Sequence, residues 1–188
     1  MQVVAGQFRG LKIQTPVGEH TRPTLSRVKE AFFSSIQHDI GGARFLDLFA
    51  GTGQMGIEAL SRGAELVVFC DQTTSGLVQA NVANLDKTGN LAKHYRVLAI
   101  DATNSVSLTK LAPAFDYIYL DPPHGAVVFE TLLGVLVSAG LIHDTTTLVI
   151  EQRTEQPVAY AGFDTLKRKI YGKTMLTYLQ PTQPSLKD

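Results

Sequence analysis

Gly51, Gly53 and Gly56 spell G-x-G-x-x-G inside the run Asp47-Leu48-Phe49-Ala50-Gly51-Thr52-Gly53-Gln54-Met55-Gly56, and Asp71 follows about twenty residues on. An apolar strand that turns sharply into a helix gathers unpaired backbone N–H groups and a positive dipole end at one point. Glycines there let a ligand touch the backbone and admit dihedrals closed to other residues. The pattern predicts a site for a nucleotide-like cofactor, with Asp71 placed to hold ribose hydroxyls. Glycine spacing alone does not say which cofactor.

Two further acids fall in register with this turn. Asp101, in Ile100-Asp101-Ala102, follows an apolar run and is suited to accept from the exocyclic amine of an adenine. Asp121 opens Asp121-Pro122-Pro123-His124 after the apolar Tyr117-Ile118-Tyr119-Leu120. Two consecutive prolines remove two N–H donors, stiffen the backbone and leave carbonyl oxygens without local partners. A carboxylate beside rigid carbonyls makes an acceptor-only cradle, which suits a planar –NH₂ group and has no place in a dehydrogenase. Singly, each acid is also explained as an ordinary cap of the helix that follows it. None of the five histidines has metal-ligand spacing to another His or to Cys, so no metal is expected.

These residues need a scaffold that brings strand ends together. From residue 43 onward strands and helices alternate: strands over 44–49, 66–70, 95–100, 117–120 and 147–150, helices over 54–62, 74–86, 104–111 and 127–138. Such alternation predicts an α/β fold, a doubly wound parallel sheet with helices on both faces, whose ligands sit outside the carboxyl ends of the strands. Residues 166–170 and 174–179 predict an antiparallel hairpin closing one edge of the sheet. Before the sheet, residues 3–5 and 11–13 flank a glycine-bounded loop and predict a β-hairpin. A helix beginning within 24–27 follows, with Leu25, Val28, Phe32 and Ile36 on one apolar face. The expected organisation is an N-terminal extension over 1–40, a cofactor domain over 41–181 and a frayed tail over 182–188.

The chain has 188 residues, enough for one well-buried α/β domain. No apolar run approaches a membrane span, no signal peptide is visible, and the single Cys70 suits a reducing compartment, so a cytoplasmic protein is expected. Formal net charge is zero, but it is unevenly spread. Residues 1–30 carry Arg9, Lys12, Arg22, Arg27 and Lys29 against Glu19 and Glu30, a net of +3, while residues 31–150 come to −5 and residues 151–188 to +2. Basic ends around an acidic middle predict a polyanion-binding surface outside the cofactor domain, although Lys12 and Lys29 are each equally explained as solvated surface.

Several of these pieces together resemble the RsmD family. They are Val4-Ala5-Gly6-Gln7-Phe8-Arg9-Gly10, Thr21-Arg22-Pro23-Thr24, Arg27-Val28-Lys29-Glu30, the run from Leu46 to Gly53, Gly56-Ile57-Glu58-Ala59-Leu60-Ser61-Arg62-Gly63-Ala64, Asp121-Pro122-Pro123 and Tyr171-Gly172. The resemblance implies a Rossmann-like class I methyltransferase fold with a mostly parallel seven-stranded sheet. It also implies methyl transfer from S-adenosylmethionine to N2 of one guanine in 16S ribosomal RNA, met in the small ribosomal subunit or an assembly intermediate, by a monomer. It assigns Asp47, Phe49, Ala50, Gly51, Thr52 and Gly53 to the methionine-binding turn, with Asp71 on the ribose side, where relatives more often carry Glu. Asp101 and Ala102 fall on the adenine side, and Asp121 borders cofactor and target alike. Asp121, Pro122, Pro123 and His124 match the catalytic tetrapeptide, except that family members usually have Tyr or Phe where this chain has His124.

The resemblance places RNA on the basic N-terminal unit: Arg9, Lys12, Arg22 and Arg27 for phosphates and Phe8 for stacking, with Arg22 close enough to touch the cofactor instead. The alternatives are methylation of another amine, on adenine N6 or a protein glutamine, a nicotinamide-dependent enzyme, and an inactive RNA-binding scaffold. Amine methyltransferases of the first kind usually begin the tetrapeptide with Asn, so Asp121 points away from them.

Overall fold

The computed structural model describes residues 1–16, 23–86, 90–111, 114–123, 128–153 and 159–183, so Arg22, His124 and residues 184–188 lie outside the described residues, as does the side chain of Leu25. Its frame is a seven-stranded sheet in the order β3-β2-β1-β4-β5-β7-β6. β1 (Arg44–Leu48), β2 (Leu66–Cys70), β3 (Tyr95–Leu98), β4 (Phe115–Leu120) and β5 (Ile142–Arg153) run parallel. β7 (Thr174–Pro181) is antiparallel to β5, and β6 (Phe163–Tyr171) pairs antiparallel with it at the edge. β1 is flanked by β2 on one side and β4 on the other, which makes its carboxyl end the point where the winding reverses and a ligand crevice opens.

Alternation along each strand divides the core in two. Phe45, Val67, Phe69, Tyr119, Val149 and Tyr178 face one way, against α1 (Pro23–Ser35), α2 (Gln54–Ser61) and α3 (Ser75–Leu85). Leu46, Leu48, Val68, Ile118, Leu120 and Ile150 face the other, against α4 (Ser105–Leu108), the 3₁₀ turn Thr109–Leu111 and α5 (Phe129–Ser138). Near-continuous apolar strands are what a sheet covered on both faces requires.

Several boundaries differ from the sequence reading. The helix expected over 104–111 divides into α4 and the 3₁₀ turn. β3 ends at Leu98, so Asp101 stands in the following loop. β5 extends well beyond 147–150, because its polar ends pair with Phe115 on β4 and with β7. α1 begins at Pro23, ahead of the expected start; at a first helical position the missing N–H costs nothing.

The N-terminal hairpin is reduced to one antiparallel bridge, Gln2 with Lys12, framed by Val3 N–H to Leu11 O at 3.0 Å and Gly10 N–H to Val3 O at 2.9 Å. The ladder stops there because the next amides turn elsewhere: Val4 and Ala5 donate to the two carboxylate oxygens of Glu58 at 2.8 and 2.9 Å. Glu58 is fully buried on α2, with Lys29 Nζ at 3.6 Å and Arg62 Nε at 3.0 Å. Lys29 is only 1% exposed and donates to Gln2 O at 2.8 Å, so it belongs to this buried knot and not to a solvated surface. Burial lowers its ammonium pKa, with Glu58 opposing the shift. Gly6 passes so near α2 that a Cβ there would lie 1.8 Å from Ser61 O, and its φ of +84° adds strain for any other residue. The first sixteen residues are thus sewn to α1 and α2, and Val3 and Ile13 enter the same core as β1. Thr182 and Gln183 are likewise tied down, to Gly162 O and Asp144 O.

Glu58→Ala strands a buried ammonium and orphans two backbone amides. It is expected to cost about 3–5 kcal/mol in chemical denaturation and to open residues 1–16 to limited proteolysis.

Candidate active site

At the carboxyl end of β1 the chain leaves extended geometry abruptly: Phe49, Gly51 and Gly53 take φ of 62°, 56° and 77°. For Phe49 this is the left-handed region that non-glycine residues avoid, a local strain of the kind held at functional turns. Two acids hold the turn. Asp47, 2% exposed beneath it, accepts Gly56 N–H at 2.9 Å and so pins the first turn of α2. Asp71, at the end of β2, accepts Gly51 N–H through Oδ2 at 2.9 Å. Its Oδ1 takes Thr73 N–H and Thr74 N–H at 2.9 and 2.8 Å and Thr73 Oγ1 at 3.1 Å.

Phe49, Gly51, Asp71, Asp101, Ala102, Asp121, Pro122 and Pro123 line one cleft of about 510 Å³, within the range of small-molecule sites. The winding point of the sheet brings these four separate stretches together. Cys70, Gln72, Thr73, Ile100 and Thr103 also line it, and sequence reasoning missed them. Each lies within two residues of an acid it did single out, so strand-end position was the available signal. Asp47 is not on the wall, nor are Ala50, Thr52 and Gly53; they shape the turn from below and behind.

The two cap-like acids divide their work. Asp71 is partly helix cap and partly cleft wall: Oδ2 has one protein donor and keeps capacity for one more, which fits a single ribose hydroxyl better than a pair. Burial pushes its carboxyl up, but the amides of Thr74, Gly51 and Thr73 outweigh that and hold it below the usual carboxylate range. Asp101 accepts Thr103 N–H and Oγ1 through Oδ1 at 2.8 and 2.6 Å, which likewise lowers it and leaves Oδ2 open to a donor. Gln54 Oε1, buried at the start of α2, has no hydrogen-bond partner among the described residues. Apolar Ile100 and Ala102 and the acceptors at Asp71 and Asp101 suit an adenosyl ligand with hydroxyl and amine donors. Cys70 is no nucleophile, since burial, with Asp47 and Asp71 nearby, pushes its thiol up to about 12.

Asp121 ends β4 with its surface exposed in the cleft, followed by buried Pro122 and exposed Pro123. Desolvation among the atoms of the cleft, then the nearby Glu151 and Asp47, raise its carboxyl well above the ordinary carboxylate range. Glu151 on β5 is an acid near the site that the sequence reading did not single out. Leu120 and Ile150 pair in register, so Asp121 and Glu151 follow one another across adjacent strand ends. Tyr119, 1% exposed, donates its hydroxyl to Glu151 Oε2 at 2.5 Å. Glu151 is also raised by burial, against the pull of that hydrogen bond. Nothing in the local sequence marks Glu151, because its role comes from β5 lying beside β4.

Of the basic residues, Arg9, Lys12 and Arg27 are exposed, whereas Lys29 is buried. Phe8 is not a free platform: its ring packs partly against the core and its N–H donates to Ser61 Oγ at 3.0 Å.

Burial, partly countered by the Gly56 amide, raises the Asp47 carboxyl to about 7. The folded protein therefore holds a proton that the unfolded chain releases near 3.8, and stability falls as pH rises between these values. Asp47→Asn keeps an acceptor for Gly56 N–H and is neutral throughout. Denaturation midpoints from pH 4 to 8 should be flatter for this variant, with a gain on the order of a few kcal/mol at the alkaline end.

Comparison with known proteins agrees with this architecture. The family model "Conserved hypothetical protein 95" matches residues 1–180. "Putative rRNA methyltransferase YlbH" of Bacillus subtilis (strain 168) is 34% identical over 177 residues, 93% of this chain and 95% of that protein. "Ribosomal RNA small subunit methyltransferase D" of Escherichia coli (strain K12) is 31% identical over 178 residues, 92% of this chain and 86% of that protein. The solved structure "Putative methyltransferase yhhF from Escherichia coli" superposes with a TM-score of 0.80 at 27% identity, covering 96% of this chain and 97% of that one. The fold is that of the class I methyltransferases, a mostly parallel sheet of seven strands with antiparallel C-terminal strands. By a match running from residue 1 to 180, the chain belongs to the Conserved hypothetical protein 95 family, the RsmD family.

Proposed function

We propose that this protein transfers a methyl group from S-adenosylmethionine to the exocyclic N2 amine of one guanine in 16S ribosomal RNA of the small subunit, in the cytoplasm. The observation that carries this reading is that Asp121-Pro122-Pro123 lines the same cleft as Gly51 and Asp71. An acceptor-only cradle for an amine thus borders a site suited to an adenosyl ligand. Relatives named as rRNA methyltransferases support an RNA substrate. A nicotinamide enzyme would leave the Asp-Pro-Pro unit without a use.

S-adenosylmethionine, when bound, supplies an electrophilic methyl group. The glycine turn, Asp71 and Asp101 would hold it, with Ile100 and Ala102 as the apolar wall. The target guanine leaves its stack to reach Asp121. Asp121 and the Pro122 carbonyl accept from the N2 amine, opposing the delocalisation that makes it a poor nucleophile. As the N–C bond forms at the expense of the donor's methyl–sulfur bond, whose electron pair stays on sulfur as a neutral thioether, positive charge grows on nitrogen, and the carboxylate stabilises it where it appears. The departing N–H proton passes to Asp121 and on to solvent. Alignment supplies the larger part of the acceleration, of which about 7–11 kcal/mol is available in favourable cases.

RNA is gripped by Arg9, Lys12 and Arg27 on the N-terminal unit and α1, with Arg22 and His124 as further contacts belonging to the same reading.

Asp121→Ala should lower labelled-methyl transfer to small subunits lacking the modification by at least about a thousandfold, while calorimetric affinity for S-adenosylmethionine changes little; near-normal turnover would sink the role. Separately, alanine at Arg9, Lys12 and Arg27 together should flatten the dependence of log RNA affinity on log salt by about 2–3, and an unchanged slope would place the grip elsewhere.

A further inference from the structure

Glu151 stands on the side of Asp121 away from the glycine turn. In the order β3-β2-β1-β4-β5, the cofactor cleft occupies the ends of β3, β2, β1 and β4, and β5 lies beyond β4. Glu151 does not line that cleft, yet its strand register sets it beside Asp121. Anything whose amine reaches Asp121 from outside the cleft therefore meets Glu151 next. The carboxylate is also held in place. Tyr119 donates to Oε2, and the Tyr119 ring is locked in the core with Phe32 edge-on at 5.2 Å. Oε1 has no hydrogen-bond partner among the described residues, so one acceptor is steadied and left open.

Guanine carries two adjacent donors on one edge, N2–H and N1–H. Adenine presents an acceptor at N1, and so does 2,6-diaminopurine, which otherwise keeps the N2 amine. In their ionised form two neighbouring carboxylates offer acceptors only, which matches the guanine edge and repels a bare N1, and the N–H donors of that edge favour the ionised form. Resting on the function proposed above, we infer that Glu151 is the specificity-determining residue that selects guanine, accepting N1–H through Oε1 while Asp121 takes the N2 amine. Tyr119 is its positioning residue. A site that hydrogen-bonds a substrate donor rejects analogues lacking it far better than an apolar pocket does.

The test uses small-subunit RNA with guanosine or 2,6-diaminopurine riboside at the target position, read by single-turnover transfer of labelled methyl. Wild type should favour guanine by about 100-fold. Glu151→Gln turns one acceptor into a donor that matches the bare N1 of diaminopurine. It should slow transfer to guanine by about 10- to 100-fold and bring the guanine-to-diaminopurine ratio to about one or below. Tyr119→Phe keeps the ring and removes only the hydroxyl that steadies Glu151, and should narrow the ratio by about threefold or more; it serves as the second reading if Glu151→Gln does not fold.

A merely structural Glu151 would slow both substrates alike and leave the ratio unchanged, which overturns the inference while leaving the function intact. A wild-type preference for diaminopurine overturns it equally. Wild-type protein that transfers no methyl to guanine RNA overturns the function itself.

Discussion

Much of this molecule hangs on one buried carboxylate. Glu58 on α2 accepts the amides of Val4 and Ala5 and pairs with Lys29 from α1 and Arg62 one turn along its own helix. Three chain segments distant in sequence meet at this point. An isolated charge could not be buried there, since its desolvation would exceed any single contact. Four donors offset that cost, and the arrangement is correspondingly intolerant of losing any of them. Its geometric effect is to lay the N-terminal segment across α2, the helix that begins at the cofactor turn. Asn81 on α3 repeats the device on the other side. It bonds Gln14 through both N–H and C=O, at 2.8 and 3.1 Å, and also takes hold of Thr52 O at 2.9 Å. The N-terminal segment and the glycine turn are thus braced against a common side chain.

The second organising constraint is the crowding of acids at the strand ends. Asp47, Asp121 and Glu151 lie on the same face at the ends of β1, β4 and β5, and each carboxyl is pushed upward by desolvation. Asp71 and Asp101, after β2 and β3 and better supplied with N–H and O–H donors, are held low. The same residue type is therefore divided by environment. Acids rich in N–H and O–H donors keep their charge easily, and acids poor in donors do not.

Local sequence determined a large part of this. The order of strands and helices, the turn from Asp47 to Gly53, the acid at each strand end and the edge hairpin all follow from short-range periodicity and from glycine and proline chemistry, which depend on near neighbours only. The departures are of one kind. Lys29 reads as solvated surface and is buried, residues 3–5 read as a strand but Val4 and Ala5 give their amides to Glu58, and Phe8 reads as a platform and rests partly on the core. Glu151 carries no local mark at all. In every case a partner more than twenty residues away decided the outcome, and no window of sequence contains that partner. The opening turn was legible because a backbone conformation is a property of the chain itself. The surroundings of the carboxylates came only with the sheet, because which strand lies beside which sets the distance between charges, and that distance decides which way each carboxyl is pushed.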